Sequence, residues 1–491
     1  MKKILILTAV LALLCSCSDF LNIRTEATMP TYGFDYTKTE NIIMPLSAAY
    51  ASMRLGEGEA FHYISVMEIV SDDADKGSSA DDGAPAKQVD EFTLDPANDC
   101  VNTVWTYFYN MSSAANYAIE SMDKFKESIT AEDALKQVDE CRGEARIIRA
   151  WAYFNLVRIF GSVPIIDKSM TSEELSSAKP ASEEQIYKFI YDDLDAAIRT
   201  VESSWEEYPG RYTCWTARAL KSRVALYRKD WKEAAAQADA IMASGEFSLQ
   251  PKFRDAFLMK GENSPEILMS IQSSTLGQEA GDAPMCFYAF IQGPRNNPEP
   301  FQGWGFNVPS QKLVDFLDAR GDKDRKEATI LVRGTTTPEG DVLTDKCTNP
   351  YYNGKVYTPS RYNKWSFNAY GRDYDMRLIR YSEILLNFAE AMANGASFAP
   401  ASGMTAQTAL DAVRARAGLA SVSATLDNIY EERHAELAME EQRFFDLVRW
   451  GKAAEVLGPL GFKAGKHEHF PIPTSQRQLN PNLPASPGYT Y

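Results

Sequence analysis

Two amphipathic helical stretches separated by two residues, Thr213 to Arg228 and Trp231 to Ser244, constrain this chain more than any other feature. Gly245 closes the second. Ala219, Ala225, Leu226, Tyr227, Trp231 and Ala234 fall in the pattern of a tetratricopeptide hairpin. Small residues let two helices approach closely, and each pair buries its remaining apolar face only by stacking on another. Leu385, Ala389, Ala391, Ala409 and Val413 trace a second pair, over helices expected at Arg377 to Asn394 and Thr405 to Ala417. Helices are also read at Ala134 to Phe160 and Ile186 to Val201, and Ala150 to Tyr153 of the one with Ile186 to Ile198 of the other traces a third pair. Further helices are expected at Tyr107 to Phe125 and Ile429 to Glu455. The expected fold is mainly α, with tetratricopeptide-like helical hairpins forming a scaffold over about residues 40–260 and 377–460.

Local signals support the boundaries. Ile147, Ala150, Trp151, Phe154 and Val157 form one apolar stripe that ends in the charge of Arg158, and Gly161 and Pro164 stop the helix. Ser182-Glu183-Glu184-Gln185 reads as a capping box. Two regions break the helical period. Residues 77–102 are rich in Asp, Ala, Gly and Ser, and residues 261–375 contain long stretches of Gly, Pro, Asn and aromatics. Long loops within a helical body are commonly functional. Aromatic-rich loops are poor candidates for disorder. These insertions make a loop-rich second half that is expected to carry a ligand site.

Composition narrows the function. Hydrophobic residues are 45% and charged residues 24% of 491, which excludes a wholly disordered chain, a collagen and a multi-span membrane protein. The net charge of −16 repels polyanions, so no nucleic-acid partner is expected. Lys2 and Lys3 followed by the apolar run Ile4 to Leu14 read as a targeting leader, too short to span about 30 Å of hydrocarbon. Leu14-Cys15-Ser16-Cys17 resembles a bacterial lipobox, with cleavage after residue 16 and lipid on Cys17. An ordinary cleaved signal peptide is the alternative. Residues 17–491 would then form the mature body, anchored by lipid rather than by basic residues. Cys100, Cys141, Cys214, Cys286 and Cys347 are widely spread with no C-x-x-C, which argues against a zinc ribbon and leaves any disulfide pairing open.

Several motifs then resemble one family. They are Arg149-Ala150-Trp151-Ala152-Tyr153-Phe154-Asn155-Leu156-Val157-Arg158 through Gly161 and Pro164; Gly303-Trp304-Gly305 followed by Pro309 to Asp315; and Ile379-Arg380-Tyr381-Ser382-Glu383 through Glu390-Ala391. Arg414 to Gly418, Glu432-Arg433 to Glu440, Arg443 to Gly451 and the terminus from Pro471 to Tyr489 continue the series, and Cys17 to Leu21 matches the mature start. In that order they resemble the SusD/RagB family of outer-membrane nutrient-binding lipoproteins, over nearly the whole chain. The resemblance implies a lipid-anchored protein exposed on the outer-membrane surface. It also implies a SusC-like TonB-dependent barrel as partner, a glycan or in some members a peptide as ligand, and no catalysis. Tetratricopeptide hairpins commonly bind proteins, so an interaction scaffold without its own ligand is the other class.

The residues themselves point to rings. Sugar C–H faces pack on flat aromatics, while Asn, Asp and Arg take the hydroxyls. Tyr288, Phe290, Arg295, Asn296, Phe301 and Trp304 cluster in one loop with Phe287 and Asn297, and Asp75 joins them as a ligand-binding candidate. A second cluster is Tyr351, Tyr352, Tyr357, Tyr362 and Trp365, and Phe61, His62 and Tyr63 precede Asp72. Rings of this kind also staple loops onto a body. Arg146, Arg149, Arg158, Glu436 and Glu440 are charges within apolar helices and are expected to pair there. No cofactor is expected. Calcium is a candidate at Asp72 to Asp82, without an EF-hand spacing, and His467 with His469 supplies too few ligands for a closed zinc site. Mass spectrometry of the mature N-terminus should find lipid on Cys17; an unmodified terminus at another residue overturns that expectation.

Overall fold

A computed structural model describes residues 34–273, 287–361 and 374–491. Cys17, Cys286, Tyr362 and Trp365 lie outside the described residues. The body is a run of helices, each packed on the next. Asp99–Ser128 lies against Glu132–Phe160, which lies against Glu183–Thr200, then Cys214–Tyr227, Trp231–Ser244, Tyr381–Ala393 and Ala406–Arg416. Ala219, Ala225, Ala234, Ala389, Ala391 and Ala409 are fully buried at these crossings. Leu426–Leu437 packs on Tyr381–Ala393 as well. This is the mainly α scaffold of hairpins that the apolar periods require.

Caps set the ends. Asn98 accepts the Cys100 N–H at 2.9 Å, so the first long helix begins within the 77–102 region read as loop. That region also holds the short helix Ala84–Asp90. The capping boxes of Ser182 with Gln185 and Thr213 with Thr216 are both formed.

Two helix readings need correction. Residues 376–380 are a strand, β6 (Met376–Arg380), antiparallel to β2 (Ile267–Ile271); the helix starts only at Tyr381. Tertiary pairing overrides a local helical period there. The long helix expected over 429–455 is broken into Leu426–Leu437, Arg443–Arg449 and Ala453–Leu457. Met439 and Glu441 take φ of +61° and +64° at the break, a conformation that non-glycine residues hold only when their surroundings fix it. The break turns Glu440 toward Arg380 and Lys355, and Glu441 toward Tyr63. The remaining sheet is small: β1 (Ala74–Gly77) pairs with β3 (Phe306–Pro309), and β4 (Ile330–Val332) with β5 (Tyr351–Asn353), both antiparallel.

The charges in the helices do pair, with one exception. Arg149 holds Asp193 through two nitrogens at 2.8 and 2.7 Å, and Arg146 stands 3.7 Å from the same carboxylate. Among the described residues Arg158 has no such bridge: it bonds Asn155 at 3.0 and 2.7 Å and lies 4.1 Å over the Phe445 ring. Glu436 is the hub of a larger cluster. Arg380 reaches it at 2.9 Å, Arg325 at 3.0 Å, and Arg416 also bonds it. Burial opposes its charge, yet Arg416, Arg325 and Arg380 together hold its carboxyl well below the usual range. Arg380 further binds Glu266 at 2.7 Å and Glu440 at 2.6 Å, and Glu440 takes Lys355 at 2.6 Å. Cys100, Cys141, Cys214 and Cys347 are free thiols, and three of them are buried as small apolar residues.

Truncating the hub should be costly. Glu436→Ala leaves three buried guanidinium groups short of a counter-charge, and urea unfolding should show a loss of about 3 to 5 kcal/mol. A loss below about 1 kcal/mol, the scale of a surface pair, would show that the cluster is solvated.

Candidate functional site

The loop-rich half meets the helices along the β1–β3 ladder, where Asp75 stands opposite Val308 and Gly77 opposite Phe306. Two loops leave this ladder and lock together. The Ser78 N–H donates to the Gly305 carbonyl at 2.5 Å. Gly77 has φ +71°, and a Cβ on it would stand 2.3 Å from that same carbonyl oxygen, so this approach requires glycine. Arg295 donates to Ser78 Oγ and Asp82 Oδ2, both at 2.7 Å. The Lys76 ammonium donates to the carbonyls of Ser79 and Asp82 at 2.8 and 2.7 Å. Asn349 donates to the Gly305 carbonyl at 3.2 Å. Asp90 accepts the Lys76 N–H at 3.0 Å, and burial pushes its carboxyl up to about 6.

The expected ligand residues divide into two levels. Arg295 and Trp304 are half-buried and Asn296 is exposed on the loops that meet at Gly305, and Asp75 is exposed on β1; these four are the outward-facing candidates, referred to below as the rim. Phe61 and His62 are half-buried on the neighbouring helix Glu57–Ile64; Phe61 meets Phe306 edge-on at 4.8 Å. Tyr288, Phe290 and Phe301 are not on the rim. They are 4%, 4% and 6% exposed, beneath it. Phe290 supports Trp304 edge-on at 5.8 Å, and Phe301 packs on Tyr357 at 5.0 Å. Asn297 is likewise buried, donating to the Phe301 and Val342 carbonyls at 2.7 and 2.9 Å. In the second ring cluster Tyr352 and Tyr357 are buried, and Tyr351 is half-buried with its hydroxyl on Gln311 at 3.0 Å. Sequence reasoning treated all these rings alike, because composition does not separate a ring's two faces.

Three of the five acids of the 72–82 segment face basic side chains. Asp72 takes Arg443 at 2.7 and 3.0 Å, Asp73 stands 2.5 Å from His434, and Asp82 takes Arg295. Among the described residues no group of three or more His, Cys, Asp or Glu stands close enough to hold a metal ion. His467 stacks on Phe92 at 5.3 Å. A cleft of 500 Å³ opens beside Asp73, but its rings cover one another: Phe316 stacks on His434 and Tyr430 on Trp450, each at 4.0 Å.

The N-terminal part, residues 19–226, matches a family described as starch-binding and associating with the outer membrane. Residues 334–489 match the SusD family. The chain belongs to the SusD/RagB family. SusD-like protein P2 of Formosa agariphila is 29% identical over 100% of both chains. A SusD-like protein of Bacteroides ovatus is 25% identical, covering 91% of this chain and 82% of its own. Among solved structures, a laminarin-binding SusD-like protein superposes with a TM-score of 0.77 at 28% identity, covering 92% of this chain and 99% of that one. Surface glycan-binding protein A of Bacteroides thetaiotaomicron, solved with laminarihexaose, superposes with a TM-score of 0.76 at 22% identity over 91% and 99% of the two chains, a likeness of fold. No helix among the described residues is long and apolar enough to cross a membrane.

Near Tyr288, below the outward-facing residues, lies a buried acid pair. The Tyr63 hydroxyl donates to Glu441 at 2.7 Å, and Tyr288 bonds the same carboxylate. The Glu441 N–H donates to Glu68, whose other carboxylate oxygen has no hydrogen-bond partner among the described residues. Burial, and then the nearby Asp73, raise the Glu68 carboxyl well above its ordinary range; burial also raises Glu441. A carboxyl raised in the folded state binds its proton preferentially there, so it destabilises the fold increasingly as pH rises above the unfolded value near 4.5. Glu68→Gln removes that cost. The variant should be at least as stable as the parent at pH 7.5, with a shallower fall in stability between pH 5 and 8. An unchanged slope in urea titrations would show that Glu68 does not carry the effect.

Proposed function

We propose that this protein is a non-catalytic, cell-surface glycan-binding lipoprotein that takes an oligosaccharide on the rim formed by Trp304, Arg295, Asn296 and Asp75. It hands that ligand to a SusC-like TonB-dependent barrel. The reading is carried by the half-buried Trp304, which stands at the junction of two loops locked by Gly77 and Gly305. A ring held edge-on by Phe290 is pre-organised to take a sugar face, and Asn296 on the same loop and Asp75 on β1 are exposed polar residues. The match to a starch-binding family and the laminarin-binding neighbour support a glucan as the first ligand to test. Lipid on Cys17 would keep the chain at the outer membrane.

Of the four rim residues Asp75 alone carries a carboxylate, whereas glycoside hydrolysis uses a pair. Asp72, Asp73 and Asp82 are engaged by Arg443, His434 and Arg295 rather than held as a free acid–base pair. A delivery protein must also release its cargo, which suits weak binding. Calorimetry against laminari- and malto-oligosaccharides should give Kd values of about micromolar to millimolar. Trp304→Ala, with circular dichroism to verify folding, should weaken binding by about 1 to 3 kcal/mol. Equal binding by the folded variant would place the site elsewhere. Binding of peptides in place of every glycan would replace the ligand class, and product sugars accumulating in the cell would overturn the non-catalytic reading. Delivery is tested by co-purification of the lipidated chain with its barrel.

A further inference from the structure

A groove of 760 Å³ runs between the helix Ile43–Ala51 and the turn at residues 207–212, within the range of about 300–1,000 Å³ for small-ligand sites. Its floor is apolar, with Ile43, Leu46 and Met53. Its back wall is fixed by bonds internal to the protein. Tyr50 donates to Glu144 at 2.6 Å and accepts the Tyr212 N–H at 2.7 Å. The Tyr212 hydroxyl donates to the Ser270 carbonyl at 3.0 Å, and the Trp205 indole donates to the Tyr212 carbonyl at 2.9 Å. Arg211 bonds Glu144 and lies 3.7 Å over Trp205. These groups satisfy one another and hold the groove open.

The front is built differently. Tyr208 is 60% exposed. Gly210 seats directly against Gln272, since a Cβ there would stand 2.7 Å from the Gln272 side chain. Gln272 spends its amide N–H groups on Ser270 at 2.7 Å and Asn263 at 3.4 Å, which leaves its carbonyl oxygen to accept. Gln137 lines the same space. The Arg54 guanidinium makes no hydrogen bond or ion pair among the described residues, although the chain carries 67 acidic residues against 51 basic. The residue is exposed at the edge of the groove, so its charge is open to a ligand. Glu207 is the acid among the described lining residues.

We propose that this groove binds an acidic sugar residue, a uronate or a sulfate ester, with the Arg54 guanidinium on the anion, the Tyr208 ring against the sugar's C–H face and Gln272 accepting a hydroxyl. A planar guanidinium matches either oxyanion through paired N–H donors. The proposal rests on the glycan-binding reading above and names a sugar class that the rim alone does not select.

Saturation-transfer and titration experiments on the mature protein use D-glucuronate, D-glucose 6-sulfate and D-glucose as probes. At least one acidic sugar should bind about tenfold more tightly than glucose, and high salt should weaken it. Arg54→Gln should remove that preference, and Tyr208→Ala should weaken every probe, both with native circular dichroism. Which acidic sugar binds separates uronate from sulfate. Arg54→Gln should leave neutral glucan binding at the rim unchanged, whereas Trp304→Ala reports on the rim alone, so the two readings fail separately. Equal binding of acidic and neutral sugars, or a folded Arg54→Gln variant that keeps the preference, overturns the proposal.

Discussion

The buried carboxylate of Glu436 ties the two halves of this molecule together. It accepts from Arg325 in the helix Lys323–Thr329, from Arg380 at the end of β6 and from Arg416 at the end of Ala406–Arg416. Through Arg380 the cluster reaches Glu266 just before β2, and through Glu440 it reaches Lys355 in the loop-rich half. Removing water from so many charges is expensive, and the cluster holds only if nearly every donor meets an acceptor. That demand fixes where the helix Leu426–Leu437 must end. It also accounts for the left-handed conformations of Met439 and Glu441, which swing Glu440 and Glu441 to opposite partners.

The rim depends on that arrangement at one remove. Glu441 is held at the break and receives Tyr63 and Tyr288. Tyr288 lies in the short helix Phe287–Ile291, and Phe290 of that helix supports Trp304. A chain of contacts therefore runs from the ion-pair cluster to the exposed ring. On the other side, Gly77, Gly305, Arg295 and Asp82 pin the two loops against each other. A shallow sugar site needs such stiffness, because its few contacts cannot also bear the cost of ordering loops.

The helical hairpins were legible in the chain because their signal is local. Ala219, Ala225 and Ala234 announce a close crossing through their size alone, and the cap at Ser182 is written in four consecutive residues. The family motifs were legible for a related reason, since they are mostly the ion-pair and packing residues of the scaffold. The site was legible only as a neighbourhood. Arg295, Asn296, Trp304 and Asp75 keep exposed or half-buried positions, while Tyr288, Phe290 and Phe301, indistinguishable from them in composition, turned inward. Tyr208 was passed over because an isolated ring before Pro209-Gly210 carries no periodicity to mark it.

By itself the sequence determined the helix class, the stacking of paired helices and the acidic surface, because spacing, side-chain volume and charge act over a few residues. The strand at Met376–Arg380, the break after Leu437 and the inward or outward turn of each aromatic ring were decided by tertiary structure. Each of those depends on a partner far away in the chain: β2 for the strand, Arg380 and Tyr63 for the break, Glu441 and Tyr357 for the rings. A ring's face is free only when no distant residue has covered it, and local sequence holds no record of that.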